Sequence, residues 1–212
     1  FFKNQIWHIG GLILLFYVGC QMVDFENNSN TFLGISAKNW FLFAMITPLL
    51  HQSYVWLCWR SELCWQTISR TIGFKAYAVI FIIIIILRLS GIGLCFADYG
   101  SWFTPEWIAW SVSVLIFIPF VYTIYSIKKY FGFMRATGID HFDPKYRDMP
   151  FEKRGIFKWS SNAMYTFAIP VMFAFAISAG SKATFIFAAY TVIGAWLHYF
   201  CTEREDFKVI YG

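Results

Sequence analysis

The sequence predicts an all-α fold, a polytopic transmembrane helical bundle of about six spans that closes with a C-terminal helical hairpin. Three observations carry that expectation. Hydrophobic residues make up 58% of the 212-residue chain and charged residues only 14%, against about 25% charged in ordinary soluble domains. The apolar residues gather into long stretches, most of them close to the ~20 residues that a bilayer crossing needs. Aromatic residues, 22% of the chain, crowd toward the ends of those stretches, where amphipathic rings favour the headgroup layer. In water such a chain would expose large apolar patches and aggregate.

The stretches run over residues 6–23, 39–59, 74–95, 105–131, 162–180 and 182–200. The first is long enough to remain as a span, and no small-residue cleavage site follows it, so no signal peptide is expected. The second contains His51-Gln52-Ser53, polar groups that face a water-filled cleft or satisfy one another between helices. The third holds a run of isoleucines over 81–87. In water that run would favour a strand, but in lipid a segment must satisfy its own backbone, so a helix is expected. Arg88 lies deep in the same stretch, where an unpaired charge costs several kcal/mol; it snorkels, pairs with a lipid phosphate or lines a cavity. Pro48, Pro119 and Pro170 are expected to kink their helices. Only Gly180-Ser181 separates the last two stretches, which predicts a tight hairpin.

Positive charge sets the orientation. Arg60, Arg70 and Lys75 follow the second stretch, and Lys128, Lys129, Arg135, Lys145, Arg147, Lys153, Arg154 and Lys158 follow the fourth. The first and third loops carry Asp24, Glu26, Asp98 and Glu106 against Lys38. Both termini and the long fourth loop are therefore expected on the cytoplasmic side. That loop, residues 135–161, is punctuated by aromatics, which argues against disorder and for a folded cytoplasmic cap. The net charge of +5 belongs to these loops; no basic run with stacking aromatics points to nucleic acid. Cys20, Cys58, Cys64, Cys95 and Cys201 form no CxxC pair, so neither a zinc site nor a disulfide framework is indicated. Asn27-Asn28-Ser29 formally matches a glycosylation sequon.

Chemistry is expected where two polar clusters meet. One opens the fifth stretch: Gly155, Phe157, Lys158, Trp159, Ser160, Ser161, Asn162, Met164 and Tyr165. The other closes the sixth: His198, Glu203, Arg204, Glu205 and Asp206, continuing to Tyr211 and Gly212. A hairpin with arms of similar length brings its start and finish to one membrane face. Ser160, Ser161 or Asn162 can cap the fifth helix, whose free N–H groups attract a carboxylate. Glu203, Glu205 and Asp206 offer acceptors for hydroxyls, an amine or a sulfonium.

The order Gly155-x-Phe157, Asn162-x-Met164-Tyr165, hydrophobic hairpin, Glu203, Ile210-Tyr211-Gly212 resembles the integral membrane phospholipid and isoprenylcysteine methyltransferases, most nearly the phosphatidylethanolamine N-methyltransferases. The likeness covers residues 132–212. Ala163 stands where that family has proline, and the acidic pair reads Glu203-Arg204-Glu205 rather than two adjacent glutamates. Thr137-Gly138-Ile139-Asp140-His141-Phe142 resembles the family's glycine-bearing cofactor segment. The resemblance implies S-adenosylmethionine as methyl donor, leaving S-adenosylhomocysteine, with Gly138, Gly155, Asn162, Met164, Tyr165, His198 and Glu203 around it. The apolar stretches make the chain one membrane domain over 1–212, with four spans in 1–131, and the resemblance puts the catalytic region in 132–212.

Methyl transfer to an amine is an in-line displacement that gains most from positioning and desolvation. The amine attacks only when neutral, so a base is needed within hydrogen-bond reach; Glu205, Asp140, His141 and His198 are the candidates. Phe157, Trp159 and Tyr165 are candidate aromatic faces for a sulfonium, at about 0.5–2 kcal/mol per contact. The expected activity is transfer to a lipid amine, with phosphatidylethanolamine the expected membrane phospholipid substrate. A prenylated cysteine carboxylate or a thiol is the alternative acceptor, and a small transporter or lipid-binding protein with Arg88 and His51 on its path is the non-enzymatic alternative.

Overall fold

The computed structural model describes residues 1–26, 28–103 and 105–211. Asn27 of the sequon and Gly212 of the closing motif lie outside these described residues. The described residues are mainly helical. Among them five helical spans are long and apolar enough to cross a membrane: Gln5–Met22, Ala37–Trp65, Gly73–Ala97, Glu106–Phe131 and Lys182–Ile210. The fifth apolar stretch forms a shorter helix, Met164–Ala179.

The first span is α1 (Gln5–Met22), followed by a two-residue hairpin of β1 (Thr31–Phe32) and β2 (Ile35–Ser36). Ser36 caps α2 (Ala37–Trp65) by accepting from the Asn39 N–H. The helix continues through Pro48 and ends at Gln66, a left-handed residue whose N–H returns to the Glu62 carbonyl. A short α3 (Thr67–Thr71) turns the chain into the third span, which is broken into α4 (Gly73–Leu87) and α5 (Ser90–Ala97). The break falls at Arg88-Leu89. The fourth span is α6 (Glu106–Ser126), continuous through Pro119 and widened at its end into a π turn, Ile127–Phe131.

The expected cap is folded. It contains α7 (Phe133–Ala136), a 3₁₀ turn at Ile139–His141, α8 (Pro144–Arg147) and a second 3₁₀ turn at Gly155–Lys158. The penultimate helix opens as a π turn, Met164–Ala168, and continues beyond Pro170 as α9 (Val171–Ser178). Pro170 is the residue before α9, so it marks a change of helix type. The last span is α10 (Lys182–His198), a π turn (Tyr199–Glu203) and α11 (Arg204–Ile210) without interruption.

The last span sits at the centre, with α10 packed against α1, α2, α5 and α9. The main core lies along it: Leu12, Phe41, Met45, Leu94 and Phe187 are buried together. Close approach of α5 depends on Gly91, where a Cβ would lie 2.3 Å from the Phe187 ring and 2.7 Å from Met172 Cε. One end of the bundle is tied by Asp98, which is buried. Its carboxylate accepts from Asn28 Nδ2 (2.9 Å), Ser101 Oγ (2.7 Å), Ser181 Oγ (2.8 Å) and the Ala183 N–H (2.9 Å). Beside it the Trp102 N–H donates to the Gly180 carbonyl in the hairpin turn at 2.7 Å. At the opposite end Tyr165, from the start of the hairpin, donates to Glu203, from its finish, at 2.5 Å. The two ends of the hairpin therefore meet.

Candidate functional site

The meeting point opens onto a cavity of about 110 Å³. From α2, His51, Gln52, Val55 and Trp59 line it, a spacing that puts them on one helical face. Phe81 and Arg88, seven residues apart, contribute from the third span. The remaining walls come from the three π turns and the cap. Phe131 ends the first π turn, Met164 and Tyr165 open the second, and Glu203 ends the third. A π turn bonds each residue to one five positions away, as the Ile169 N–H does to the Met164 carbonyl at 3.0 Å. Residues five apart then share a face, which brings Met164 and Ile169 together, and His198 and Glu203 together, in the cavity wall.

The cap contributes Arg135, Ala136, Gly138, Asp140 and His141. It is held down through His141, whose ring stacks on Trp59 with centroids 4.0 Å apart and planes at 18°. His141 Nδ1 is 3.2 Å from Asp140 Oδ1, and Nε2 is 3.5 Å from Asp206 Oδ2. Asp206 pairs in turn with Arg60, Nε to Oδ1 at 2.5 Å. The Tyr211 hydroxyl donates to Asp140 Oδ2 at 2.6 Å. Arg147 donates to the carbonyls of Asp140 and His141, both at 2.9 Å. Burial opposes the charged form of His141, but the carboxylates of Asp140 and Asp206 outweigh it and raise the imidazole above its ordinary value. Burial likewise works to raise Asp140, yet the hydrogen bonds from His141 and Tyr211 hold it below its ordinary value. Burial and the neighbouring Asp140 carboxylate push the Tyr211 hydroxyl up. This end of the site is an ion-paired clamp, built to stay charged.

The membrane-ward end differs. Among the described residues, both ring nitrogens of His198 lack a hydrogen-bond partner although the residue is only 4% exposed. His51 Nε2 on α2 is likewise buried without a partner among these residues, as is Arg135 Nε in the cap. Behind the His198 ring, His8 bridges Gln5 Oε1 (3.0 Å) and Gln52 Oε1 (3.1 Å), and Gln5 reaches the Cys201 carbonyl and Thr202 at 3.2 Å. That chain joins α1, α2 and the end of the last span, fixing the wall that carries His198.

Gly138, Asp140, His141, Met164, Tyr165, His198 and Glu203 all line this one cavity. Three other candidates do not. Glu205 faces away, pairing with Lys3 Nζ at 2.5 Å and Lys208 Nζ at 2.6 Å. Gly155 packs on α6, where a Cβ would sit 2.5 Å from Ser126 Oγ. Asn162 is outside the lining, and no side chain caps the π turn that follows it. Gly138 is at the cavity, but the group pressing on it is Trp59, whose Cζ2 would be 2.4 Å from a Cβ, and its φ is +81°. The glycine accommodates the indole. Of the expected aromatic faces only Tyr165 is present: Phe157 is buried against Ile127 and Ile156, and Trp159 is 71% exposed.

Trp59, Arg60 and the Asp140–Tyr211 contact were not anticipated as parts of the site. Trp59 had a detectable signal, since it follows Gln52 by seven positions and so shares that polar residue's helical face. Arg60 was weighed only as a cytoplasmic charge, because its partner lies 146 positions away in sequence.

No family model, curated protein or solved structure matches this chain.

Proposed function

We propose that this chain is an S-adenosylmethionine-dependent methyltransferase acting on a membrane lipid amine, with phosphatidylethanolamine as the substrate to test first. The observation that supports the reading most strongly is the single cavity joining Tyr165 and Glu203 across the hairpin with His198 and the 138–141 segment. When bound, S-adenosylmethionine supplies an electrophilic methyl group on a sulfonium. The cavity's donor set suits that molecule: the unpartnered Arg135 Nε for its carboxylate, Glu203 for its hydroxyls or amine, and aromatic faces for its cation. At about 110 Å³ the cavity is below the ~300–1,000 Å³ of ordinary ligand sites, so side chains at its rim must move as a ligand enters.

The residues divide the work by their partners. His141, gripped by Asp140 and Asp206, holds the cap in place and is a poor proton acceptor while those contacts last. Among the described residues His198 has both nitrogens without partners, and it is the group left open to take the proton of the incoming ammonium so that the amine attacks neutral. Tyr165 orients Glu203 through its hydroxyl. Trp59 and Phe131 exclude water from the reacting atoms.

The deciding experiment is calorimetric titration of the purified chain with S-adenosylmethionine. Binding by the unmodified protein and its loss in Glu203→Ala support the reading; equal affinity in both removes the role given to Glu203. Radiolabel transfer to phosphatidylethanolamine rather than to a farnesyl-cysteine acceptor decides between the two lipid classes. Failure to bind S-adenosylmethionine at all overturns the enzyme assignment.

A further inference from the structure

Arg88 stands where the third span breaks. Its N–H reaches the carbonyls of Ile84 and Ile85 at 3.2 Å, and the Leu89 N–H reaches Ile86 at 2.9 Å, a tightened turn inside the 25-residue apolar span Gly73–Ala97. Irregular backbone at membrane depth is tolerated where it lines a cavity, and this break does. Around it Ile82, Ile83, Ile86, Leu87 and Leu89 are exposed, as residues facing lipid are.

A guanidinium in such surroundings needs an anion. Among the described residues, no carboxylate forms an ion pair with Arg88. Among the described residues its one side-chain hydrogen bond is to His51, Nη1 to Nδ1 at 3.3 Å, and a neutral imidazole balances no charge. The cavity's two carboxylates are engaged elsewhere, Glu203 with Tyr165 and Asp140 with Tyr211 and His141. In the same lining stand further donors without partners, His51 Nε2 beside Arg88 and the buried ring of His198. The membrane-ward half of the cavity is rich in donors and poor in acceptors.

Depth selects among anions. Tyr77, whose hydroxyl donates to the Thr137 carbonyl of the cap, precedes Arg88 by about 16 Å of helix. Long helical side chains lean toward the helix N-terminus, so the guanidinium reaches back toward the cap while staying below it. A phospholipid headgroup has the matching order: chains deepest, then phosphate, then the terminal amine. The chief packing partners of α4 are α2 and α3, which leaves its isoleucine face for acyl chains.

We infer that Arg88, with His51 and His198, forms a subsite for the phosphodiester of a phospholipid headgroup whose amine points toward Glu203 and the cap. The inference deepens the methyl-transfer reading and rests on it for the fate of the amine, while phosphodiester binding itself needs no methyl donor. A phosphate oxygen would accept from the guanidinium in a charge-assisted pair and satisfy a nitrogen of His198 or His51.

Native mass spectrometry of the full chain in detergent tests this with three ligands: phosphatidylethanolamine, diacylglycerol with the same acyl chains, and soluble glycerophosphoethanolamine. The expected result is that the phospholipid binds at least about tenfold more tightly than diacylglycerol, the equivalent of about 1.4 kcal/mol, and that Arg88→Gln abolishes the preference while Arg88→Lys keeps part of it. Glycerophosphoethanolamine competing as well as the lipid keeps the anion subsite and moves its source to a soluble headgroup. Equal retention of phospholipid and diacylglycerol by the unmodified chain overturns the proposal whether or not any variant folds. Arg88-dependent lipid binding without S-adenosylmethionine binding would leave the subsite standing and remove the methyltransferase reading; methyl transfer with an unchanged KM for the lipid in Arg88→Gln would do the reverse.

Discussion

His141 sets the pH response of the cap, because a buried imidazole between two carboxylates is most stable when protonated. Its pKa is raised in the folded chain, so its contribution to stability is complete below the ordinary value of about 6.5 and is lost as pH rises through the folded value. Asp140 runs the other way: its pKa is lowered, so its contribution is present above the ordinary carboxylate range and is lost only as strong acid protonates it. In thermal unfolding in detergent, the stability advantage of the unmodified chain over His141→Gln should therefore be largest at low pH and shrink as pH rises above about 6.5. An identical pH profile in the variant removes the ion-pair account. His198, free of carboxylate partners, should behave as a reaction residue: His198→Gln is expected to lower kcat about 100-fold with little change in donor affinity, measured by radiolabel transfer beside calorimetry.

At this scale the sequence was a fair guide to residue type and a poor one to register. In an uninterrupted α-helix, residues seven apart share a face, which would put Glu205 beneath His198 and turn Glu203 away. The π turn at Tyr199–Glu203 reverses the two, aiming Glu203 into the cavity and Glu205 at Lys3 and Lys208. Such a turn is stabilised by packing that no local pattern records. Asn162 failed as a cap for the same reason, since the helix it precedes also opens as a π turn.

Apolar length and turn residues made the elements legible at the scale of whole helices: the expected stretches, the folded cap and the tight hairpin are all present. What hydropathy could not reveal is that the third span breaks at Arg88 and that the penultimate one is short, because both depend on what packs beside them. The Asp98 tie is the element-scale counterpart of the clamp, joining α5 to the start of α10 from the other end. Asp98→Ala would leave several buried or half-buried donors unpaired and should cost at least about 2–3 kcal/mol, read as a lower unfolding midpoint. S-Adenosylmethionine affinity of the folded fraction should stay unchanged, because Asp98 is no part of the cavity. Gly138→Ala should do the opposite. Its Cβ would strike Trp59 at a backbone geometry that costs about 1–3 kcal/mol for a non-glycine residue, so it should lift the cap and weaken donor binding more than it lowers the midpoint. Equal donor affinity in Gly138→Ala and the unmodified chain would mean that cap docking and ligand binding are separate.

Across the whole molecule, contacts sort the connecting segments into two ends. Lys3 with Glu205, Arg60 with Asp206, Tyr77 with Thr137, and Asp140 with Tyr211 meet at the cavity end. Asn28, Asp98, Trp102 and the Gly180-Ser181 turn meet at the other. That alternation is what six crossings require, with the short Met164–Ala179 helix as the fifth. The basic residues of the second and fourth loops collect at the cavity end and the acidic residues of the first and third at the other, and on the positive-inside rule we propose that the cavity faces the cytoplasm. Single cysteines at Lys153 and Asn30, in a background with the native cysteines replaced by serine or alanine, test this with an impermeant maleimide. In sealed vesicles exposing the cytoplasmic face, Lys153→Cys should label and Asn30→Cys should label only after permeabilisation. Labelling of both from the same side would show that one of the three apolar helices between them fails to cross; a further cysteine at Lys208 tests the closing hairpin separately, labelling from the side opposite to Lys153→Cys if the short Met164–Ala179 helix alone fails to cross.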